Sequence, residues 1–218
     1  MSVTRIRLRR AVSVLALGVL GPALSVAAVT PAQAAPTAAG PQQRVRPVAA
    51  AGSSADLAGT YKKLNLTMQQ QQQSNWCWAA SGNTIATWYG YDYSQNQFCN
   101  AAFGRSANSA CPNNQATLGD VQNALSRFGI NPGSYVSGYL RYSTVQSEVN
   151  ADRPVETRIQ WSSGGGHMHV LYGYDTTANQ VYWGDPWPSN YRYNWADYNY
   201  YVSNGTFSWT HSLYRIGA

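Results

Sequence analysis

The chain has three cysteines and three histidines in 218 residues, so any thiol chemistry must draw on few partners. Cys77 is the cysteine placed to react. It stands between Trp76 and Trp78, behind the polar run Gln69–Asn75, and opens a helical pattern in which Trp78, Ile85 and Trp88 recur. A thiol in the first turn of a helix meets the positive end of the dipole and backbone N–H groups that lack intrahelical acceptors, and both favour the thiolate. The thiolate is the form of cysteine that attacks a carbonyl carbon. The plain alternative is a small buried hydrophobe between two tryptophans, and three further features of the chain weigh against it.

The first is cysteine arithmetic. Cys99 and Cys111 share one Asn/Ser/Gly-rich stretch with eleven residues between them. A bridge there closes a loop and leaves Cys77 as an odd thiol, although the count alone leaves other pairings open. The second is histidine. His167 follows Gly164-Gly165-Gly166 and opens a strand pattern, so its imidazole can project into a cleft from a rigid backbone. His169 shares that face two residues on, whereas His211 lies in a Ser/Thr/aromatic strand and reads as structural. The third is Asp185, at the end of the strand that returns from the His167 strand. A hairpin sets that end beside the start of its first strand, where a carboxylate can fix an imidazole tautomer and stabilise the imidazolium. Pro186 holds Asp185 extended. Two histidines at i, i+2 with a carboxylate also outline a metal site, but no further clear His or Glu ligand joins them, and neither metal nor cofactor is expected.

These groups need elements to hold them. The Cys77 helix is expected to take Ser74 or Asn75 as N-cap and to stop at Gly90. Tyr91–Gln115 reads as a polar loop. Thr117–Phe128 reads as a second helix, with a Thr117/Asp120 capping box, an apolar stripe of Leu118, Val121, Leu125 and Phe128, and Gly129 as its end. A third helix covers Thr144–Ala151, starting from Ser143. Period-two alternation then puts Val155, Thr157, Ile159 and Trp161 on one face of a strand and Glu156, Arg158 and Gln160 on the other. His167–Tyr174 and Gln180–Trp183 form the hairpin about a turn at Thr176–Asn179. Short aromatic-rich strands finish the chain, and Tyr61–Met68 is an extended lead-in. Helices first and antiparallel strands second give an α+β fold, in which an N-terminal helical half carrying Cys77 packs on a C-terminal β half carrying His167 and Asp185.

Residues 1–34 read as a signal peptide. Arg5, Arg7, Arg9 and Arg10 precede an apolar run broken at Gly18, Gly21 and Pro22, and Ala32-Gln33-Ala34 supplies a small-x-small cleavage site. Residues 35–60, rich in Ala, Pro, Gly and Ser, read as a flexible pro-segment or linker, and 61–218 as one domain. The formal charge of +6 includes four arginines and no acid from residues 1–34, leaving +2 for the rest. Basic charge therefore gives no reason to expect a nucleic-acid partner. The expectation is a secreted, extracellular monomer with no stable membrane association once the signal is removed.

Gln71, six residues before the Cys77-Trp78 pair, then Gly166-His167 leading a strand through Gly173-Tyr174, then Asp185: in this order the chain resembles the papain-like cysteine peptidases. It is most similar to the compact bacterial branch that includes plant-pathogen avirulence effectors and secreted relatives. The resemblance implies Cys77 as nucleophile, His167 as its base, Asp185 as orienter of the histidine and Gln71 as a side-chain donor to the oxyanion. It also favours His167 over His169 as base, because the family runs from its histidine through a short apolar strand to a Gly-Tyr pair. The Cys-Gly-Ser-Cys-Trp signature of the plant and lysosomal enzymes is absent, Ser74-Asn75-Trp76 standing before Cys77. Asp185 stands where an Asn is common. The implied activity is endopeptidase hydrolysis of protein or peptide through a thioester. Two other readings are a Cys/His hydrolase of cell-wall peptide, which a wall-binding repeat would favour, and a non-catalytic module using its 28 aromatic residues as a binding surface.

Overall fold

The computed structural model describes residues 60–218. The signal peptide expected at 1–34, and all of the 35–60 linker but its final residue, lie outside the described residues. Thr60 is already part of the fold, its carbonyl accepting the Thr176 backbone N–H at 2.7 Å.

The centre is a seven-stranded antiparallel sheet in the order β2-β7-β3-β4-β5-β6. Its strands are β2 (Ser134–Ser137), β3 (Val155–Trp161), β4 (Gly166–Asp175), β5 (Gln180–Gly184), β6 (Tyr193–Asp197) and β7 (Phe207–Tyr214). The short β1 (Tyr61–Lys63) pairs with Gly173–Asp175, the end of β4 that runs past β3. The lead-in is therefore a strand only at its first three residues. The hairpin of β4 and β5 forms as its sequence directs, with Asn179 at the turn taking φ 50°. The β3 alternation implies one packed face; the other is covered too at Glu156, which is fully enclosed, while Arg158 and Gln160 stay half-buried.

Helix α1 (Cys77–Trp88) lies between β4 and a pair of helices, α2 (Gln95–Ala102) and α3 (Leu118–Arg127). Every residue of α1 from Cys77 to Ala86 is buried, which accounts for its small residues. A Cβ at Gly82 would run into the Phe98 ring and come within 3.1 Å of Val121 Cγ1. Gly90, just past the last turn, takes φ +88°, the left-handed conformation of a helix-ending glycine.

Helix α3 carries the expected box. Thr117 Oγ1 accepts the Asp120 N–H and Asp120 Oδ2 accepts the Thr117 N–H at 2.8 Å. Helix α2 falls inside the stretch read as loop. Its box is of the same kind, Ser94 with Gln97, but its composition is so polar that only Phe98, Cys99 and Ala102 mark an apolar face. Helix α4 (Tyr142–Asn150) begins two residues ahead of the expected Thr144, and α5 (Tyr198–Val202) packs on β5, β6 and β7. None of the described helices is long and apolar enough to cross a membrane. The observed α+β architecture, with Cys77 on the helical side and His167 and Asp185 on the strand side, is the one the sequence implies.

Candidate active site

Cys77 is the first residue of α1 and is buried, 3% exposed. The N-cap is Trp76, with no side-chain cap bond, in place of the expected Ser74 or Asn75. Those two side chains are spent on the segment after Cys111. Asn75 Nδ2 donates to the Asn113 carbonyl at 2.9 Å, and Ser74 Oγ accepts from Asn113 Nδ2 at 2.8 Å. Both tryptophans beside Cys77 reach the same segment, Trp76 Nε1 donating to the Pro112 carbonyl and Trp78 Nε1 to that of Asn114. The Cys99–Cys111 disulfide is present and anchors this strap at its start, while Cys77 takes no part in a disulfide.

The glutamine run before Cys77 is bonded residue by residue. Gln69 donates its backbone N–H to Thr84 Oγ1 and its amide to Thr87 Oγ1. The Gln70 carbonyl accepts from Gln95, and its side chain accepts from Arg192. The Gln71 N–H donates to the Pro186 carbonyl at 2.9 Å, the Gln72 N–H to Gln95 Oε1, and the Gln73 carbonyl accepts from Trp76. Gln71 is buried, and its amide nitrogen donates to the carbonyls of Gln73 at 2.8 Å and Ser74 at 2.9 Å. Two acceptors at these distances fix which end of the amide faces them. Both amide hydrogens therefore hold the turn ahead of Cys77, and Gln71 Oε1 is left buried without a hydrogen-bond partner.

Across the interface, β4 presents His167 and His169 on one face, as period two requires. His167 is 3% exposed; its Nε2 bonds Asp185 Oδ1 at 2.8 Å, and its ring also hydrogen-bonds the Cys77 side chain. Trp161 stacks along the ring at 5.9 Å, and Trp187 meets it edge-on at 6.0 Å. Burial opposes charge on this imidazole, but the Asp185 carboxylate and the bond to Cys77 outweigh it and raise its pKa to about 10. Asp185 is tightly held. Its Oδ1 also accepts the Trp187 N–H, its Oδ2 accepts from Asn190, and its carbonyl accepts from Arg192. Burial would lift its carboxyl, yet the charged His167 ring bonded to it holds it well below the carboxylate range.

His169 differs from its neighbour. Its Nε2 stands 3.5 Å from Asp185 Oδ2 with no hydrogen-bond partner, its Nδ1 lies 3.3 Å from the Tyr201 hydroxyl, and burial pushes its pKa down. It is a neutral ring beneath the pair. His211, on β7, stacks on Tyr135. Ligand atoms of His167, His169 and Asp185 lie within 4.8 Å of one another, the donor set a metal would use. Here His167 and Asp185 bond each other.

The structure thus gathers Cys77, His167 and Asp185, sets Gln71 behind the turn that leads into Cys77, and bridges Cys99 to Cys111. A small cleft of about 50 Å³ opens on Cys77 and His167, walled by Asn75, Trp78, Gln115 and Arg158. Sequence reasoning assigned no role to Trp161, Trp187, Asn190 or Tyr201. The signal for Trp187 was its place two residues after Asp185, and for Trp161 its place on the face of β3 that meets the histidines. A thiol, an imidazole bonded to it, and an anchored carboxylate behind the imidazole can form a thiolate–imidazolium pair and shuttle one proton.

A protein-family model described as papain-like cysteine protease AvrRpt2 matches residues 60–203. Among solved structures, the chain is similar to xylellain, a cysteine protease from Xylella fastidiosa. The identity is 10%, the match covers 71% of this chain and 85% of that one, and the TM-score is 0.45. No curated protein matches the sequence.

Proposed function

The chain belongs to the AvrRpt2 family of papain-like cysteine proteases, and on that premise we propose that it is a secreted endopeptidase working through Cys77, His167 and Asp185. The observation that carries this reading is the double engagement of His167, to Asp185 at 2.8 Å and to the Cys77 side chain. The Cys77 thiolate attacks the peptide carbonyl carbon. The carbon–nitrogen bond breaks as His167 delivers its proton to the departing amine, and the acyl group stays on sulfur as a thioester. Water then attacks the thioester, gives its proton to His167 and releases the peptide acid and the thiolate. Asp185 keeps the imidazole oriented throughout and stabilises its charged form before acylation and after deacylation.

The developing oxyanion needs donors. The backbone N–H of Cys77 stands in the first turn of α1, where no intrahelical acceptor exists. The Gln71 amide joins it only by giving up its bond to Gln73 or Ser74, so this donor is recruited when substrate binds and otherwise holds the turn. Export rests on the pattern of residues 1–34 and agrees with the Cys99–Cys111 bridge, a bond characteristic of oxidising compartments.

Cys77→Ala should abolish hydrolysis of unfolded casein while the protein keeps its melting temperature to within a few degrees, because only the sulfur is removed and the β-carbon stays. Undiminished hydrolysis by the folded variant would end the thiol-peptidase reading. Protein recovered from the culture medium should begin after Ala34 or further on by N-terminal sequencing. A chain retained in the cytoplasm with its first residues intact would refute export.

A further inference from the structure

Strand β3 turns one charged side chain toward the cleft. Arg158 is half-buried and forms part of the wall beside Cys77 and His167. Its guanidinium lies over Gly166, the residue just before His167. A Cβ at Gly166 would come within 2.6 Å of Arg158 Nη2 and 2.8 Å of Cζ, so the glycine makes room for it. Two bonds hold the group in place, Nη1 to Thr210 Oγ1 at 2.9 Å and Nη2 to Gln160 Oε1 at 3.1 Å. Both partners are neutral.

No carboxylate among the described residues pairs with this cation. Among the described residues, the ion pairs join Lys62 with Asp152, Arg153 with Glu148, and the two β4 histidines with Asp185. The only acid on β3 is Glu156. It is fully buried, neither of its oxygens has a hydrogen-bond partner, and burial together with nearby Cys77 keeps its carboxyl protonated. His211 faces Arg158 from β7 and is pushed down by burial and by Arg158 itself, so it stays neutral. A fixed, half-buried guanidinium without a counter-ion, in the wall of a cleft that ends on the nucleophile, is a receptor for a carboxylate.

We propose that Arg158 is a specificity-determining residue of the cleft, pairing with the carboxylate of an Asp or Glu side chain close to the scissile bond of the substrate. The proposal rests on the peptidase reading above. A carboxylate can also come from the end of a peptide chain. The side chain is favoured because an endopeptidase cleft receives its substrate mid-chain.

The test uses the full chain and peptides blocked at both ends, with Glu and Gln exchanged one at a time at the three positions on either side of the cleaved bond. Wild type should show one position at which Glu is preferred about tenfold or more in kcat/KM, the scale of a charge-assisted hydrogen bond. Arg158→Gln should cleave the Glu and Gln peptides equally, and Arg158→Lys should retain part of the preference. A wild type that prefers Glu nowhere, or a preference that survives Arg158→Gln, overturns the proposal. So does a preference confined to peptides with an unblocked C-terminal carboxylate.

A second measurement works without peptide hydrolysis. The rate of Cys77 alkylation by iodoacetate relative to iodoacetamide should fall severalfold in Arg158→Gln, and an unchanged ratio overturns the proposal. Failure to cleave any peptide, with that ratio still dependent on Arg158, would count against the peptidase reading and leave the carboxylate receptor standing.

Discussion

Two carboxyl groups are buried near the reaction centre, and their surroundings are opposites. Asp185, where β5 ends, accepts hydrogen bonds from His167, Trp187 and Asn190 and has His169 beneath it. Glu156, the second residue of β3, accepts none. Both have lost their water, so desolvation lifts both. For Asp185 the cationic ring and the donors reverse that lift and leave an anion. For Glu156 nothing reverses it, and the approach of Cys77 adds to it. Burial of a carboxyl is thus no guide to its charge; the count of donors and cations around it decides.

The contrast can be broken most severely at Asp185. Asp185→Ala removes what orients His167 and sustains its charge, and kcat/KM should fall by at least about two orders of magnitude, the usual worth of a positioned acid–base group. The same variant should move the alkaline limb of the pH–rate profile. In the proposed mechanism His167 must be protonated to hand its proton to the leaving amine, and, against the opposing effect of burial, Asp185 and Cys77 raise its pKa to about 10. Without the carboxylate, burial is the stronger influence on the ring, and the limb should shift to lower pH. An alkaline limb unmoved by Asp185→Ala would mean that the carboxylate does not govern the histidine.

The smaller effect lies at Glu156. Its folded pKa is raised, so above about 4.5, where the unfolded carboxyl ionises, the native state holds a proton that the unfolded state has lost. Stability therefore declines as pH rises. Glu156→Gln keeps the shape and never ionises, so its advantage over wild type should be absent in acid and grow toward alkaline pH, by about 2 °C or more in melting temperature at pH 8. Peptide turnover should stay within about twofold. A difference in melting temperature that is flat with pH would show Glu156 ionised in the fold and collapse the contrast.

Much of this architecture was legible because it depends on local rules. The Thr117/Asp120 box and the Gly90 stop are written in adjacent residues, and the hairpin that brings Asp185 to His167 follows from strand length and one turn. What sequence could not show is set by distant partners. Ser74 and Asn75 look like helix caps, yet Asn113 claims both. The polar face of β3 looks half-buried until a helix covers it, and then Glu156 is sealed in while Arg158 keeps an opening on the cleft. Helix α2 reads as loop although its Ser94/Gln97 box follows the same rule as that of α3, because its buried face includes the polar Gln95 and Asn100 and leaves no apolar stripe in the sequence. Gln71 was marked from its place in the order of motifs, but the bonds that occupy its amide appear only with the loop in three dimensions.

At the level of the gene, the five glutamines before Cys77 carry a consequence of their own. Runs of one amino acid are where coding sequences lengthen and shorten by slippage, and such changes are often silent because one copy serves as well as the next. Here each copy has its own address. Gln69 answers to Thr84 and Thr87, Gln70 to Gln95 and Arg192, Gln71 to Pro186, and Gln73 to Trp76. One glutamine more or less would leave an address unmet or a residue without a place between Met68 and Cys77. A tract that looks like padding is in this protein a ruler of fixed length.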